Sequence, residues 1–235
     1  MSSTPGRRLS LRYEVAPSDD WTLPEEPVPE SQPHDLVLDL LKALLVHWIA
    51  RTSMDAQVAR NLAVRWDGNN PKVGVDPDLC LISPRTPEGD QLSSLCLWKP
   101  GHTAPLVSIE VVSENRPHKD YVSAPERHAA SGARELWVFD PKLAGPAMHG
   151  GRSRLQLWVR GADEFTRVYA GDGPVRSPAI GGWLFAVDEG QRLRIAEDEA
   201  GTRWWMTGEE AERAAKEAAL ARVKELEAEL ARLRS

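Results

Sequence analysis

Ala104-Pro-Leu-Val-Ser-Ile-Glu-Val-Val112 is an almost unbroken apolar run with one acid, Glu110, near its end. A short run of this kind is expected as a buried strand. An unpaired ionised carboxylate is costly to remove from water, so a buried strand that carries one needs a reason for it. A second apolar segment, Val75-Asp-Pro-Asp-Leu-Cys-Leu-Ile82, places Asp78 32 residues before Glu110. Two such strands, each offering one carboxylate, invite a divalent cation as their shared partner.

Working outward, the 235 residues suffice for one large domain or an ordinary domain with appendages. The apolar share of 41% and charged share of 27% are those of a globular chain. The longest apolar stretch, around Leu36 to Ala50, is interrupted by Asp39, Lys42 and His47, so no membrane span is expected. The N-terminus lacks the hydrophobic segment of a secretory signal, and Cys80 and Cys96 are too few and too far apart for a disulfide framework or a zinc site. Both cysteines are read as small hydrophobes. The expected compartment is the reducing cytoplasm. A net charge of −6 supplies no global basic excess for phosphates. Contact with nucleic acid then requires a local patch, a metal ion or both.

Three regions follow. Residues 1–33 carry six prolines and few large apolar side chains, and are expected to be largely disordered. Residues 34–207 form the folded unit, and residues 208–235 one amphipathic helix. In the folded unit, Asp35 is placed to cap a long helix to about Arg51, with apolar residues around most of its circumference. Strands are expected at Gln57–Trp66, Asp78–Ser83, Gln91–Trp98 and Pro105–Val112. A helix of about two turns follows, with Ser123 as its N-cap, Pro125 in the first turn and Gly132 as its stop. Glu135–Asp140 is the next strand, and Arg154–Arg160 with Phe165–Tyr169 a hairpin added to the sheet. The strand–helix–strand step implies an α/β fold with a mixed sheet and a parallel crossover.

Asp78 and Glu110 are hard oxygen ligands suited to Mg²⁺ or Mn²⁺, and the Val111 carbonyl is a convenient third ligand. A metal there lowers the pKa of a bound water and stabilises charge on a phosphoryl oxygen. From spacing alone the alternative stands open: Asp78 as a turn residue after Pro77, and Glu110 paired with an arginine.

Three pieces carry a family resemblance: Val75-Asp-Pro-Asp78-Leu, Ser108-Ile-Glu110-Val-Val-Ser113, and Gly132-Ala-Arg-Glu-Leu-Trp-Val-Phe-Asp-Pro141. Together with His34 at the start of the first helix, they resemble the Uma-type restriction endonuclease family, a bacterial branch of the PD-(D/E)xK nuclease superfamily. The resemblance implies a restriction-endonuclease-like αβββαβ core with a mixed sheet, extra C-terminal strands and a C-terminal helix. It implies Asp78 and Glu110 as metal ligands and hydrolysis of DNA phosphodiester bonds as the activity.

The chain departs from that pattern at its cation. The superfamily's lysine two residues after the glutamate is replaced by Val112. The Uma-type pattern carries its lysine in the following helix, ahead of a tyrosine, and here Ala124 and His128 occupy those two places. Lys119, the only lysine between Lys99 and Lys142, is the candidate catalytic substitute. Arg127 is the nearest cation in the helix, but it stays protonated and is a poor proton acceptor. His118 and the rest of the loop Ser113–Asp120 are candidates to line a substrate groove.

The expected function is therefore an Mg²⁺-dependent (or Mn²⁺-dependent) DNA endonuclease. The alternative is a catalytically weakened nuclease-fold protein that binds nucleic acid or a protein partner. In a third reading the tail is the working part: Ala219, Val223, Leu226, Leu230 and Leu233 alternate spacings of four and three, a coiled-coil seam for a homodimer or a partner helix.

Overall fold

The computed structural model of the chain describes residues 8–10, 32–113, 119–146 and 152–234. Within the segment read as largely disordered, Arg8–Ser10 forms a short edge strand, β1, and the remainder of residues 1–31 lies outside the described residues. The first helix, α1, spans Gln32–Thr52. Its buried residues Val37, Leu38, Leu41, Leu44, Leu45 and Trp48 recur at helical spacing and form one stripe. Leu36 and Val46 are exposed, so burial is one-sided rather than circumferential. Asp35 lies inside the first turn instead of capping it, and with Asp39 it holds the Arg60 guanidinium at 2.6 Å each.

The expected strand at Gln57–Trp66 is two strands, β2 (Gln57–Arg60) and β3 (Ala63–Arg65). The break falls at Asn61, whose φ of 47° is the left-handed conformation that Asn tolerates better than most residues. β4 (Gly74–Val75), β5 (Leu79–Ile82), β6 (Ser94–Cys96) and β7 (Val107–Val111) follow. After a π-helical turn at Lys119–Ser123 come α2 (Ala124–Ser131) and β8 (Glu135–Phe139). Ser123 continues from that turn and makes no side-chain cap, whereas Gly132 ends α2 in the left-handed conformation at φ 83° as expected. The hairpin is β9 (Leu155–Arg160) with β10 (Glu164–Gly171). Three strands not singled out in the sequence, β11 (Val175–Arg176), β12 (Trp183–Val187) and β13 (Arg192–Ala196), precede α3 (Gly208–Leu233).

The central sheet has the order β1-β10-β9-β8-β7-β5-β2. β7 and β8 are parallel, with α2 in the crossover, and the other neighbours are antiparallel. Stripped of the small sheet β4-β3-β6, the order from α1 to β8 is αβββαβ. Alternation along the strands sorts the two faces. Leu79, Leu81, Val107, Ile109 and Val111 pack with α1 and with the sheet β11-β12-β13. Cys80 and Ile82 face the small sheet, and Val112, Leu136 and Val138 pack with Tyr121, Trp158 and Phe165. Burial pushes the Cys80 thiol up to about 12, in keeping with its reading as a small hydrophobe.

Trp205 closes the α1 layer. It is buried and stacks on Trp48 with ring centroids 5.1 Å apart and planes within 9°. Two residues on, Thr207 and Glu210 form a reciprocal capping box that starts α3, and Arg194 holds the Glu210 carboxylate at 2.7 Å. The start of the last helix is thus tied to the core. Truncating Trp205 to Ala removes this stack and leaves a cavity beside Trp48. The expected loss is about 3 kcal/mol of unfolding free energy in a urea titration; a change within experimental error would show that the stack is not part of the cooperative core.

Candidate functional site

Register brings the two predicted carboxylates together. Leu79 opposes Ile109, Cys80 opposes Ser108 and Leu81 opposes Val107. One step further along that ladder Asp78 stands opposite Glu110. Glu110 has the parity of Ser108 and looks toward α2, where His128 meets it, whereas the Asp78 carboxylate lies at the end of β7 within reach of His34 on α1. The chain around Asp78 is held as an extension of β5, because Asn61 N donates to the Asp78 carbonyl at 3.2 Å. The Asp78 carboxylate in turn accepts from Val111 N at 2.7 Å, clamping the end of β7.

Opposite Glu110 lies a stripe of α2 formed by Ala124, His128 and Ser131, all buried. Their spacing of four and three puts them on one face, and that face has no large apolar side chain. It leaves room for a polar pair. His128 Nε2 sits 2.7 Å from Glu110 Oε1, and neither side chain has more than 1% of its surface exposed. Sequence reading assigned His128 no role, since it stood where a tyrosine was expected. The available signal was the stripe itself: a buried helix face made of Ala, His and Ser needs a polar group across from it.

The other oxygen, Glu110 Oε2, is buried with no hydrogen-bond partner among the described residues, and so are His128 Nδ1 and Asp76 Oδ1. Burial foremost, and then the neighbouring charge of Asp78, pushes the Glu110 carboxyl up to about 8. Burial pushes His128 down to about 3, with Lys119 and Arg127 acting in the same direction. The imidazole is therefore neutral at pH 7. It donates to an ionised Glu110, or accepts from a protonated one.

His34, near the start of α1, adds a second imidazole. Its Nε2 lies 3.0 Å from the Val111 carbonyl and 3.3 Å from Asp78 Oδ2. A carbonyl can only accept, so Nε2 carries the proton. The Val111 carbonyl, expected as a metal ligand, is thus engaged by His34. Lys119 is exposed, at the head of the π-helical turn, and the charge of Glu110 foremost raises its pKa, with help from Asp120, Asp78 and Asp76. Asp120 is buried, accepts from Ser113 N at 3.4 Å, and is raised well above the usual carboxylate range by burial and by Glu110. Arg127 reaches to the Gly74 carbonyl at 3.3 Å. His118, considered for the substrate groove, lies outside the described residues.

The donor set fits a divalent ion in one specific sense. The orphaned, buried Glu110 Oε2 is an oxygen in want of a cation, and Asp78 stands across from it. Among the described residues, however, no three His, Cys, Asp or Glu side chains gather to hold a metal by themselves. Two carboxylates with the remaining positions left to water or phosphate is the arrangement these residues allow.

The titration has a sign that can be checked. A carboxyl whose folded pKa is raised contributes stability that is complete below about 4.5 and lost as pH rises through about 8. His128, depressed, contributes in the opposite sense, with stability complete above 6.5 and lost as pH falls through about 3. The two oppose each other between 4.5 and 6.5, which leaves the window from 6.5 to 8 to Glu110 together with Asp120, whose carboxyl is raised in the same sense. In metal-free buffer the protein is expected to lose stability across that window, by on the order of a few kcal/mol. Glu110→Gln is expected to flatten the profile. An unchanged slope in the variant would show that Glu110 titrates normally.

Comparison with known proteins follows from this geometry. The model of the Uma2 family, whose description is "Putative restriction endonuclease", matches residues 9–145, which include Asp78, Glu110, α2 and β8. A solved structure described as a putative nuclease belonging to DUF820, from Anabaena variabilis ATCC 29413, is similar at 16% identity. That similarity covers 66% of this chain and 76% of the other, with a TM-score of 0.44. No curated protein matches. The family match spans more than half of the 235 residues, and the chain belongs to the Uma2 family, with its restriction-endonuclease-like α/β fold.

Proposed function

We propose that this chain is a nuclease-fold protein with weakened catalysis, which binds nucleic acid at the Asp78–Glu110 centre with a divalent ion between protein and phosphate. The contact that carries this reading is His128 Nε2 on Glu110 Oε1 at 2.7 Å, next to Ala124 where the resemblance calls for lysine. Mg²⁺ or Mn²⁺ bound there would supply a water of lowered pKa and stabilise charge on a phosphoryl oxygen. Asp78 and Glu110 Oε2 are the residues that would hold it.

The rest of the chemistry belongs to side chains. His128 fixes one Glu110 oxygen and leaves the other to face a cation. His34 restrains the Asp78 carboxylate and the Val111 carbonyl together. Neither imidazole turns its Nε2 toward a position for an attacking water, because each Nε2 already faces a protein oxygen. Arg127 stays protonated, and α2 offers no amine. Weak activation of water follows. The carboxylates also repel a phosphate backbone unless a cation intervenes, which makes binding dependent on a divalent ion.

A second reading, an active Mg²⁺-dependent endonuclease, is favoured by Lys119, whose charge is drawn into the field of Glu110, Asp120, Asp78 and Asp76. Anisotropy of a labelled duplex and nicking of supercoiled plasmid separate the two. Under the first reading, Mn²⁺ promotes duplex binding, and chelation or Asp78→Ala with Glu110→Ala weakens it on the order of tenfold, while nicking stays near the level of that double variant. Rapid nicking that the double variant abolishes would establish the second reading, and Lys119→Met should then slow it about 10²-fold. No binding under any of these conditions would overturn both.

A further inference from the structure

The last helix stands apart from the site, beyond the residues that define the family, and buries none of its 26 residues. A helix of that length extends about 39 Å at 1.5 Å per residue. Yet it is not polar all round. Leu220, Val223, Leu226, Leu230 and Leu233 are between 42% and 79% exposed, in a row on one side. Written as heptads, Val223 and Leu230 take position a, and Ala219, Leu226 and Leu233 take position d. Only Lys216, at the first a position, breaks the apolar seam, and its long stem can lie along it with the charge in water.

The flanking residues say what covers this seam. Positions g are Ala215, Arg222 and Glu229, and positions e are Arg213, Leu220, Glu227 and Arg234. In a parallel, in-register pair each g faces the e of the following heptad on the other helix. Arg222 then meets Glu227, Glu229 meets Arg234, and Ala215 meets Leu220. By two-fold symmetry each contact occurs twice, with no like charges opposed and with exposed Leu220 widening the seam. The fully overlapped antiparallel alternative keeps Arg222 against Glu229, but it sets Glu227 against Leu220 and Arg213 against Arg234.

We infer that α3 pairs with the α3 of a second copy of this chain, as a parallel, in-register coiled coil from Ala215 to Arg234. The capping box at Thr207 and the Arg194–Glu210 pair fix where the helix leaves the domain, so both domains lie at the same end of the coil. Arg222 also contacts Glu225 within its own helix at 3.0 Å, a solvent-side pair that persists in the dimer without conflict.

The full chain decides the matter by light scattering after size exclusion, across a concentration series. A dimer is expected, and Leu226→Glu with Leu230→Glu should yield a monomer whose thermal midpoint is that of the parent, since both positions are exposed and outside the core. Glu227→Arg should weaken the dimer about tenfold, because symmetry disrupts two ion pairs, and adding Arg222→Glu should restore it. Leu233→Cys should crosslink under mild oxidation, since only the parallel register brings the two copies of that position together. A parent that stays monomeric at its highest soluble concentration overturns the pairing. A dimer that survives Leu226→Glu with Leu230→Glu overturns the interface, and a Leu233→Cys dimer that fails to crosslink overturns the parallel register.

Discussion

One carboxyl group without access to water, in a sheet strand buried along its whole length, constrains everything around it. Glu110 cannot be ionised cheaply where it sits, and it cannot be left without a hydrogen bond. The chain meets the second demand with a histidine and the first only in part. The consequences spread outward from there. α2 presents Ala124, His128 and Ser131 to the sheet because a large apolar residue would leave Glu110 bonded to nothing. β5 is preceded by an acid, since the register that pairs Leu79 with Ile109, carried one residue further, sets Asp78 across from Glu110. α1 carries His34 in its first turn because the Asp78 carboxylate and the Val111 carbonyl converge on one donor.

Glu135 shows what a purely structural buried acid looks like in the same protein. It lies one strand over, in β8, and is equally buried. Its Oε2 accepts from Trp137 Nε1 at 3.0 Å and from Ser177 Oγ at 2.6 Å, and its Oε1 accepts from Ala179 N at 2.6 Å. Those three donors offset part of the cost of burying it and tie β8 to the connection between β11 and β12. Glu110, by contrast, has His128 on one oxygen and, among the described residues, no hydrogen-bond partner for the other. Two glutamates at similar depth thus separate cleanly by hydrogen-bond accounting: one is saturated and holds the fold, the other leaves an oxygen without a partner among the described residues.

That contrast also marks where sequence reading succeeded and where it stopped. Strand existence, the crossover helix and the Asp78–Glu110 pairing were legible, because apolar runs and turn residues carry them and the resemblance covered the same residues. The division at Asn61 was not, since a left-handed φ at an asparagine leaves no mark on hydrophobic pattern. Nor were β11 to β13, whose half-buried strands follow a glycine- and proline-containing stretch and are defined by packing on α1. At the site, the positions of the two carboxylates were legible and their hydrogen-bond engagements were not. Whether the Val111 carbonyl is free or already bound to His34 depends on a contact between residues 77 positions apart, which no local pattern encodes.

The two departures from the expected helix, Ala124 and His128, are better understood as one change than as two. A lysine beside Glu110 would hold it ionised, and an ionised pair would satisfy both charges. Without the amine, the only way to bury Glu110 at low cost is to give it a neutral hydrogen-bonding neighbour. His128 is such a neighbour, because the same burial that raises the glutamate depresses the imidazole and keeps it uncharged. The exchange therefore preserves the packing of α2 on the sheet while shifting the charge state of the centre. It leaves Lys119, the exposed first residue of a turn whose Asp120 and Tyr121 are buried, as a cation in the field of four acids. A divalent ion at Glu110 Oε2 would restore the lost positive charge. Such an ion would make the centre's electrostatics depend on its binding, where a lysine in α2 would have made them intrinsic to the protein.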